Sequence, residues 1–265
     1  MGLWNVSNGK CLYTWEFPTA VKRVAFSPED SQVVCITEQR MGHQGAVRVF
    51  NVNREGDGTQ QSAEPYSEFN PIGSKATVCT FAEGKSIVLT GHESGKLALW
   101  DVKTGDEIKS HERAHSDVIT DLQLAPDRSY FITSSRDKTA KVRAQQLTFA
   151  MAHKMIVFCQ LHDLNTLATL KTYATETPLN SAAIAPLKPY VGPCCILCIL
   201  VSYFWQVLIG GGQEAMAVTT TSIRQGKFET RFWHKTFEEE VGRVKGHFGP
   251  INTLVSAFER MNDVY

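Results

Sequence analysis

Short apolar runs separated by turn-forming residues fill the chain, and this pattern predicts many short β-strands. The runs Val33–Ile36, Ile87–Thr90 and Tyr130–Thr133 are continuous and end at turns, as expected for strands that are covered on both faces. Elsewhere, at residues 24–30 and 122–127, a strand ends in a turn that contains proline. Proline suits such a turn because it presets φ and because a strand end needs no hydrogen-bond donor from it. The pattern therefore predicts an all-β fold in which sheets cover one another.

The predicted strands recur with a regular period. Four segments mark this period. Each consists of an apolar residue, an aromatic residue or a substitute for it, a polar residue and a second apolar residue. They are Leu3–Val6, Val49–Val52, Leu99–Val102 and Leu161–Leu164. Trp4 and Phe50 are 46 residues apart, Phe50 and Trp100 are 50 apart, and Trp100 and His162 are 62 apart. The first two spacings fit the roughly 40–45 residues of a WD40 repeat with modest loop insertions. The chain thus resembles the WD40 family, and the resemblance implies the four-stranded blades of a β-propeller.

WD40 repeats also contain polar residues that hold a blade together. In the family, a His at the start of a repeat and an Asp in a tight turn hydrogen-bond to a strand Ser or Thr and to the Trp. His115, Thr133 and Asp137 match these positions in one repeat, whereas another repeat has Thr90 but Ser94 in place of the Asp. No repeat contains the full set, so the blades are divergent. The residues expected to have structural roles are Trp4, Phe50, Trp100, Asp101, His115, Thr133, Asp137, His162, Asp163 and His247.

Two segments interrupt the repeats, and the end of the chain departs from them. Removing segment 142–160 shortens the spacing between Trp100 and His162 from 62 to 43 residues, inside the repeat period. Removing segment 191–206 rejoins a buried strand. Both segments begin with Val and end with Gln, whose codons can supply the GT and AG boundaries of an intron. We interpret them as retained introns and 254–265 as a divergent tail. Genuine insertions in blade loops are the alternative.

Outside these segments the chain resembles the i-subunit family of eukaryotic translation initiation factor 3. The matching stretches are Gly91–Gly95, Phe131–Asp137, Pro178–Ala182, Gly210–Ser222 and Gly226–Thr253. Generic WD40 repeats do not contain the last two. The family propeller has seven blades. The resemblance therefore implies a single, incomplete propeller domain over residues 1–265, with about blades three to six and fragments of the second and seventh.

The same resemblance implies a function. Members of this family are cytoplasmic scaffold subunits that support recruitment of messenger RNA to the small ribosomal subunit and scanning. They bind the b and g subunits within the 43S preinitiation complex, and blades five and six contact the b subunit. Asp137, Lys138 and Glu176 are the candidate contact residues in this sequence, although Asp137 also fits the internal turn. Two alternatives stay open: a WD40 adaptor in receptor-kinase signalling, and a non-functional mis-spliced product.

Composition and candidate chemistry change this picture little. With 27 basic and 27 acidic side chains the formal charge is zero, so the chain lacks the basic footprint of a nucleic-acid-binding protein. The Met1 segment has no apolar leader, and the seven cysteines have no framework spacing, which predicts reduced thiols and no membrane association.

Four groups of residues are candidates for chemical sites. His111 with His115 has the spacing of a metal-binding pair, and Gly210–Gln213 resembles a phosphate-binding loop. Cys194 with Cys195 and Cys198 resembles half of a zinc site, and Glu238–Glu240 is an acidic run. Each lacks the further residues that its chemistry needs, and each is explained better by turns, strands or the second interruption. We therefore predict no catalytic residue, no metal and no cofactor.

Overall fold

The regular elements of the described chain are β-strands. The structure is a computed structural model that describes residues 1–54, 58–71, 73–125, 130–144, 167, 169–184, 206–211, 228–234, 237–245 and 249–254. By its internal contacts the chain divides into two compact units, Met1–Leu122 and Gln123–Tyr265. Each unit has its own hydrophobic core.

The first unit contains a two-stranded sheet and two four-stranded antiparallel sheets. The two-stranded sheet pairs β1 (Gly2–Trp4) with β2 (Cys11–Thr14). The next sheet has the order β3 (Val21–Phe26), β4 (Gln32–Thr37), β5 (Val47–Asn51) and β6 (Ser67–Phe69). The third consists of β7 (Ala76–Glu83), β8 (Ile87–His92), β9 (Leu97–Asp101) and β10 (Glu107–His111). Neighbours in each sheet are consecutive in the chain, so every sheet is a simple meander.

Two more four-stranded sheets follow. One has the order β11 (Ile119–Leu124), β12 (Tyr130–Ser135), β13 (Thr139–Ala144) and β14 (Thr169–Ala174), and the boundary between the units falls within β11. The other, in the second unit, has the order β15 (Leu179–Ile184), β16 (Gln206–Gly211), β17 (Thr230–His234) and β18 (Glu240–Val244). The meander pattern is the same as in the first unit.

The apolar runs of the sequence become second strands of these sheets. Every residue of β4 and of β12 is buried, as are all residues of β8 after the first. A continuous apolar run suits this position because both of its faces are covered. By contrast, β3 alternates between half-buried and exposed residues, as expected for a strand with one face towards solvent.

The core of the first unit joins its two four-stranded sheets. Val34 and Val47 of one sheet and Phe81 and Val88 of the other belong to a single apolar cluster. Trp100 stacks on a phenylalanine of β6 within it, with ring centroids 5.0 Å apart. Burial of each such side chain stabilises the unit by about 1.5–3 kcal/mol.

The core of the second unit is built in the same way. Ile132 and Val142 from one sheet cluster with Leu179 and Ile209 from the other, and Tyr173 lies among them. The predicted fold class, an all-β chain of the incomplete WD40 propeller type, is confirmed by these meandering four-stranded sheets.

The predicted interruptions lie mostly outside the described residues. Val142 to Ala144, the first residues of segment 142–160, form the end of β13, and Gln206, the last residue of segment 191–206, begins β16. Residues 145–160, 191–205 and 255–265 are not among those described. The two inserts, the divergent tail and the single domain over 1–265 stay predictions.

Candidate protein-interaction site

An aromatic side chain occupies the same position on the third strand of three sheets. Strand pairing places Phe50 on β5, Trp100 on β9 and Trp233 on β17 each opposite a valine of the preceding strand. Phe50 and Trp100 are only 2% and 6% exposed. Trp4, expected in an equivalent role, lies on the two-stranded sheet and is 61% exposed.

A chain of hydrogen bonds runs from Trp100 through the interior of its sheet. The indole Nε1 of Trp100 donates to Thr90 Oγ1 at 2.8 Å, and Thr90 Oγ1 lies 2.9 Å from His92 Nε2. His92 Nδ1 lies 3.1 Å from the carbonyl oxygen of Ser74, which can only accept, so Nδ1 carries a proton. With a neutral ring, Nε2 accepts a hydrogen bond from the Thr90 hydroxyl, whose oxygen also lies 3.3 Å from the carbonyl oxygen of Ala98 on β9.

His92 is held in its neutral form by this environment. Its side chain is 1% exposed, and burial lowers the pKa of the imidazole, while the hydrogen bond to Ser74 opposes the shift. A charged ring would be poorly solvated here. The network therefore acts as a structural cross-link between β8, β9 and the segment before β7.

The repeat pattern did not indicate that His92 and Ser74 belong to this network. Ser94 occupies the position where the pattern predicts a turn Asp, and its backbone N–H donates to Ser74 Oγ at 3.1 Å. Thr90 and His92 are two residues apart on β8 and so share one face of the strand. That spacing of a hydroxyl and an imidazole in a buried strand is the signal that could have revealed the network.

Asp101, which the repeat pattern predicts to have a structural role, lies at the turn after its strand. Its Oδ1 accepts hydrogen bonds from the backbone N–H groups of Lys103 at 2.7 Å and Thr104 at 3.2 Å. The N–H of Gly105 reaches the Asp101 carbonyl at 2.8 Å, with φ of 77° at the glycine. An Asp side chain that bonds the backbone two residues on is a standard way to stabilise such a turn.

Arg143 occupies the aromatic position in the sheet that contains β13. The pairing of β12 with β13 places it opposite Phe131, in the register that Trp100 has in its own sheet. The side chain is 1% exposed, and its guanidinium donates to the carbonyl of Leu167. Burial lowers the pKa of the guanidinium to about 10, so the group stays charged at neutral pH. The repeat pattern predicts His162 at this position, and His162 lies outside the described residues.

Lys138 and Glu176, two candidates for partner contact, lie on turns that the backbone ties together. Lys138 has φ of 67° in the turn between β12 and β13. Its carbonyl accepts hydrogen bonds from the N–H of Thr175 at 2.8 Å and from Thr175 Oγ1 at 3.0 Å. Thr175 directly precedes Glu176, and the side chains of Lys138 and Glu176 are both exposed. We call residues 136–138 together with 175–177 the Lys138 surface.

Asp137, the third candidate, is used within its own turn. It is half-buried, and its Oδ1 accepts hydrogen bonds from the N–H of Thr139 at 3.0 Å and from Thr139 Oγ1 at 2.6 Å. The N–H of Asp137 donates to Ser135 Oγ. These bonds hold Lys138 in its positive-φ conformation and so position the exposed side chain beside it.

The other residues expected in the repeat have mixed positions. His115 and Thr133 are buried, at 2% and 0% exposure. His162, Asp163 and His247 lie outside the described residues.

The candidate chemical sites gain no support from the structure. Within the described ranges, no three His, Cys, Asp or Glu side chains are grouped closely enough to hold a metal ion. Gly211 packs against the backbone, because a Cβ there would lie 2.3 Å from the Pro178 carbonyl oxygen, whereas Gly212 and Gln213 are not among the described residues. Among the residues that the structure describes, no helix is both long and apolar enough to cross a membrane.

Comparison with known proteins identifies relatives along nearly the whole chain. The model of the family "WD domain, G-beta repeat" matches residues 106–143. Eukaryotic translation initiation factor 3 subunit I of Mycosarcoma maydis is 50% identical over 263 residues, which cover 96% of this chain and 66% of the relative. The same subunit of Emericella nidulans is 46% identical and that of Aspergillus terreus 45%, each covering 95% of this chain and 65% of the relative.

The chain therefore spans just under two thirds of the length of the curated relatives that it matches. The matched WD repeat coincides with β10 to β13, where the meander of four-stranded sheets is described. With this identity and these sheets, the chain belongs to the family of eukaryotic translation initiation factor 3 subunit I.

Proposed function

We propose that the chain is a non-catalytic scaffold of the eukaryotic translation initiation factor 3 complex and acts in the cytoplasm. The observation that carries this proposal is 50% identity over 96% of the chain to a protein named as subunit I of that factor. Within the complex we propose contacts with the b and g subunits in the 43S preinitiation complex. These contacts support recruitment of messenger RNA to the small ribosomal subunit and scanning.

The geometry suits a scaffold. Meandering sheets with buried second strands hold their connecting turns in place, and turns held this way present side chains to a partner without a large ordering cost. We propose that these surfaces and turns bind other proteins.

We propose that the Lys138 surface contacts the b subunit. Its two turns are joined by the bonds from Thr175 to the Lys138 carbonyl, so Lys138 and Glu176 keep a constant relative position. Two exposed charges of opposite sign at a constant spacing can be matched by two charges on a partner segment. Such pairs mainly govern the rate of association and its dependence on salt.

The test uses the full chain and the C-terminal segment of the b subunit, both purified. The double charge reversal Lys138→Glu with Glu176→Lys should weaken binding in a pulldown or biolayer assay by roughly tenfold and change its salt dependence. Lys103→Glu, in the exposed turn after β9, is the matched control and should leave binding unchanged.

The two levels of the proposal fail separately. Unchanged affinity of the double reversal would exclude the Lys138 surface while leaving the scaffold role intact. If the parent chain neither binds the b-subunit segment nor co-sediments with small ribosomal subunits, the scaffold role itself is refuted.

A further inference from the structure

A hairpin between β4 and β5, closed by backbone hydrogen bonds, exposes a methionine to solvent. Arg40 and His43 exchange backbone hydrogen bonds of 3.1 and 3.0 Å, which close the hairpin. The two residues at its tip, Met41 and Gly42, have φ of 51° and 85°. Positive φ at both tip residues is the signature of a type I′ turn. The Met41 side chain is 88% exposed.

Methionine is a costly choice at this position. Type I′ turns favour Asn, Asp or Gly at the first tip residue, because a side chain with a larger Cβ substituent is strained at positive φ. An apolar side chain at 88% exposure also gains nothing from burial within the chain. The stability of the chain therefore does not explain Met41, whereas insertion into a partner would.

A cavity of about 700 Å³ lies beside the hairpin, within the first unit. Gln39 and Gln44 of the hairpin line it, together with Ser74, Ala76 and the buried Ile36. This volume lies in the range of typical ligand-binding clefts. We call residues 38–45 of the hairpin, together with the lining of the cavity, the Met41 surface.

The charges around the Met41 surface favour an acidic partner. Lys22 and Glu38, both in the lining, neutralise each other across 3.2 Å. Among the residues that the structure describes, neither Arg40 nor Lys75 has an ion-pair partner, and both are exposed. Glu93 is the remaining acid of the lining, so the charges of the lining sum to zero, and Arg40 on the hairpin gives the Met41 surface an excess of one positive charge.

A protein segment fits these features better than a nucleic acid. The chain as a whole has zero formal charge, so a backbone of phosphates gains little electrostatic attraction. The cavity lining contains no aromatic side chain among its described residues on which a base could stack. An extended peptide offers apolar side chains to Ala76 and Met41, and acidic ones to Arg40 and Lys75.

We propose that the Met41 surface is a docking site for an extended peptide segment of another protein that combines acidic with apolar side chains. The site is separate in sequence from the Lys138 surface, and the proposal does not depend on a role in translation.

The test pans a display library of random twelve-residue peptides on the full chain and measures selected peptides by fluorescence anisotropy. We expect the selected peptides to be rich in Asp or Glu with apolar residues between them. Met41→Gly should weaken their binding by about tenfold or more through the loss of the buried side chain. Glycine accepts positive φ, so this variant keeps the hairpin fold.

Two further variants complete the test. Arg40→Glu should weaken the same peptides by a similar factor, and Lys103→Glu should leave them unchanged. Selection of basic peptides, or of peptides that bind all variants equally, would overturn the proposal. So would a labelled uridine-rich RNA oligonucleotide that binds the parent chain and loses affinity on Arg40→Glu, since this result would place nucleic acid on the surface.

Discussion

Thr90 is the residue whose replacement tests the internal network most directly. Its hydroxyl oxygen accepts a hydrogen bond from the Trp100 indole at 2.8 Å and lies 2.9 Å from His92 Nε2. Thr90→Val keeps the shape of the side chain and removes these bonds together with the contact of the hydroxyl with the Ala98 carbonyl oxygen at 3.3 Å. Thr90→Ser keeps the hydroxyl and removes one methyl group.

The two variants have different expected costs. In Thr90→Val, an indole N–H and an imidazole nitrogen are left without their partner in a site where Thr90 is 0% exposed. Each such buried polar group costs about 1–3 kcal/mol, so we expect a loss of roughly 2–4 kcal/mol once the better burial of valine is included. Thr90→Ser loses about 1 kcal/mol, the value of one buried methyl group.

Thermal unfolding followed by circular dichroism measures these differences. At roughly 2–4 °C per kcal/mol for a chain of this size, Thr90→Val should lower Tm by about 5–15 °C and Thr90→Ser by about 2–4 °C. Hydrogen exchange of the Trp100 indole N–H should accelerate in the valine variant alone. If the valine variant is at least as stable as the serine variant, apolar packing dominates at this position and the proposed importance of the network is refuted.

Three further predictions concern single residues. Arg143→Leu should raise the free energy of unfolding by about 1–3 kcal/mol, measured in urea, because it removes a charge from a site that is 1% exposed. Gly95→Ala should destabilise by more than about 1–2 kcal/mol in the same assay, since φ is 80° and a Cβ would lie 2.1 Å from the His115 carbonyl oxygen. Because burial lowers the pKa of His92 in the folded state, the unfolded state binds more protons below about pH 6.5. Stability should therefore be lost as the pH falls below that value, and the loss should be smaller in His92→Gln.

Each of these predictions has a contrary outcome. A less stable Arg143→Leu chain would mean that the bond to Leu167 outweighs the desolvation of the guanidinium. An unchanged Gly95→Ala chain would require the turn to shift away from His115. If His92→Gln has the same pH dependence as the parent chain, acid unfolding originates at other histidines or carboxylates.

Much of the local structure was predictable from the order of residue types. Continuous apolar runs became β4, β8 and β12, because a strand that is covered on both faces needs apolar side chains on both. The repeat spacing predicted the aromatic positions of Phe50 and Trp100, and a regular period reflects a unit that folds in the same way each time. The turn at Asp101 is likewise local, since its hydrogen bonds join neighbours in the chain.

Contacts between distant segments were not predictable in this way. Ser74 reaches His92 across 18 residues, and Thr175 reaches Lys138 across 37. Neither pairing leaves a periodic trace, because it depends on which turns the folded sheets bring side by side. Trp4 follows the repeat pattern and yet lies 61% exposed in its two-stranded sheet.

Arg143 illustrates the difference between local sequence pattern and tertiary contacts. The sequence pattern predicts an interruption at segment 142–160, whereas strand register determined that the second residue of this segment fills the buried aromatic position of β13. Residue order alone specifies local pattern, since hydrophobic period and turn chemistry act over a few neighbours. Register, burial of a charge and the pairing of remote turns depend on the packing of complete sheets, and this is why only the three-dimensional structure revealed them.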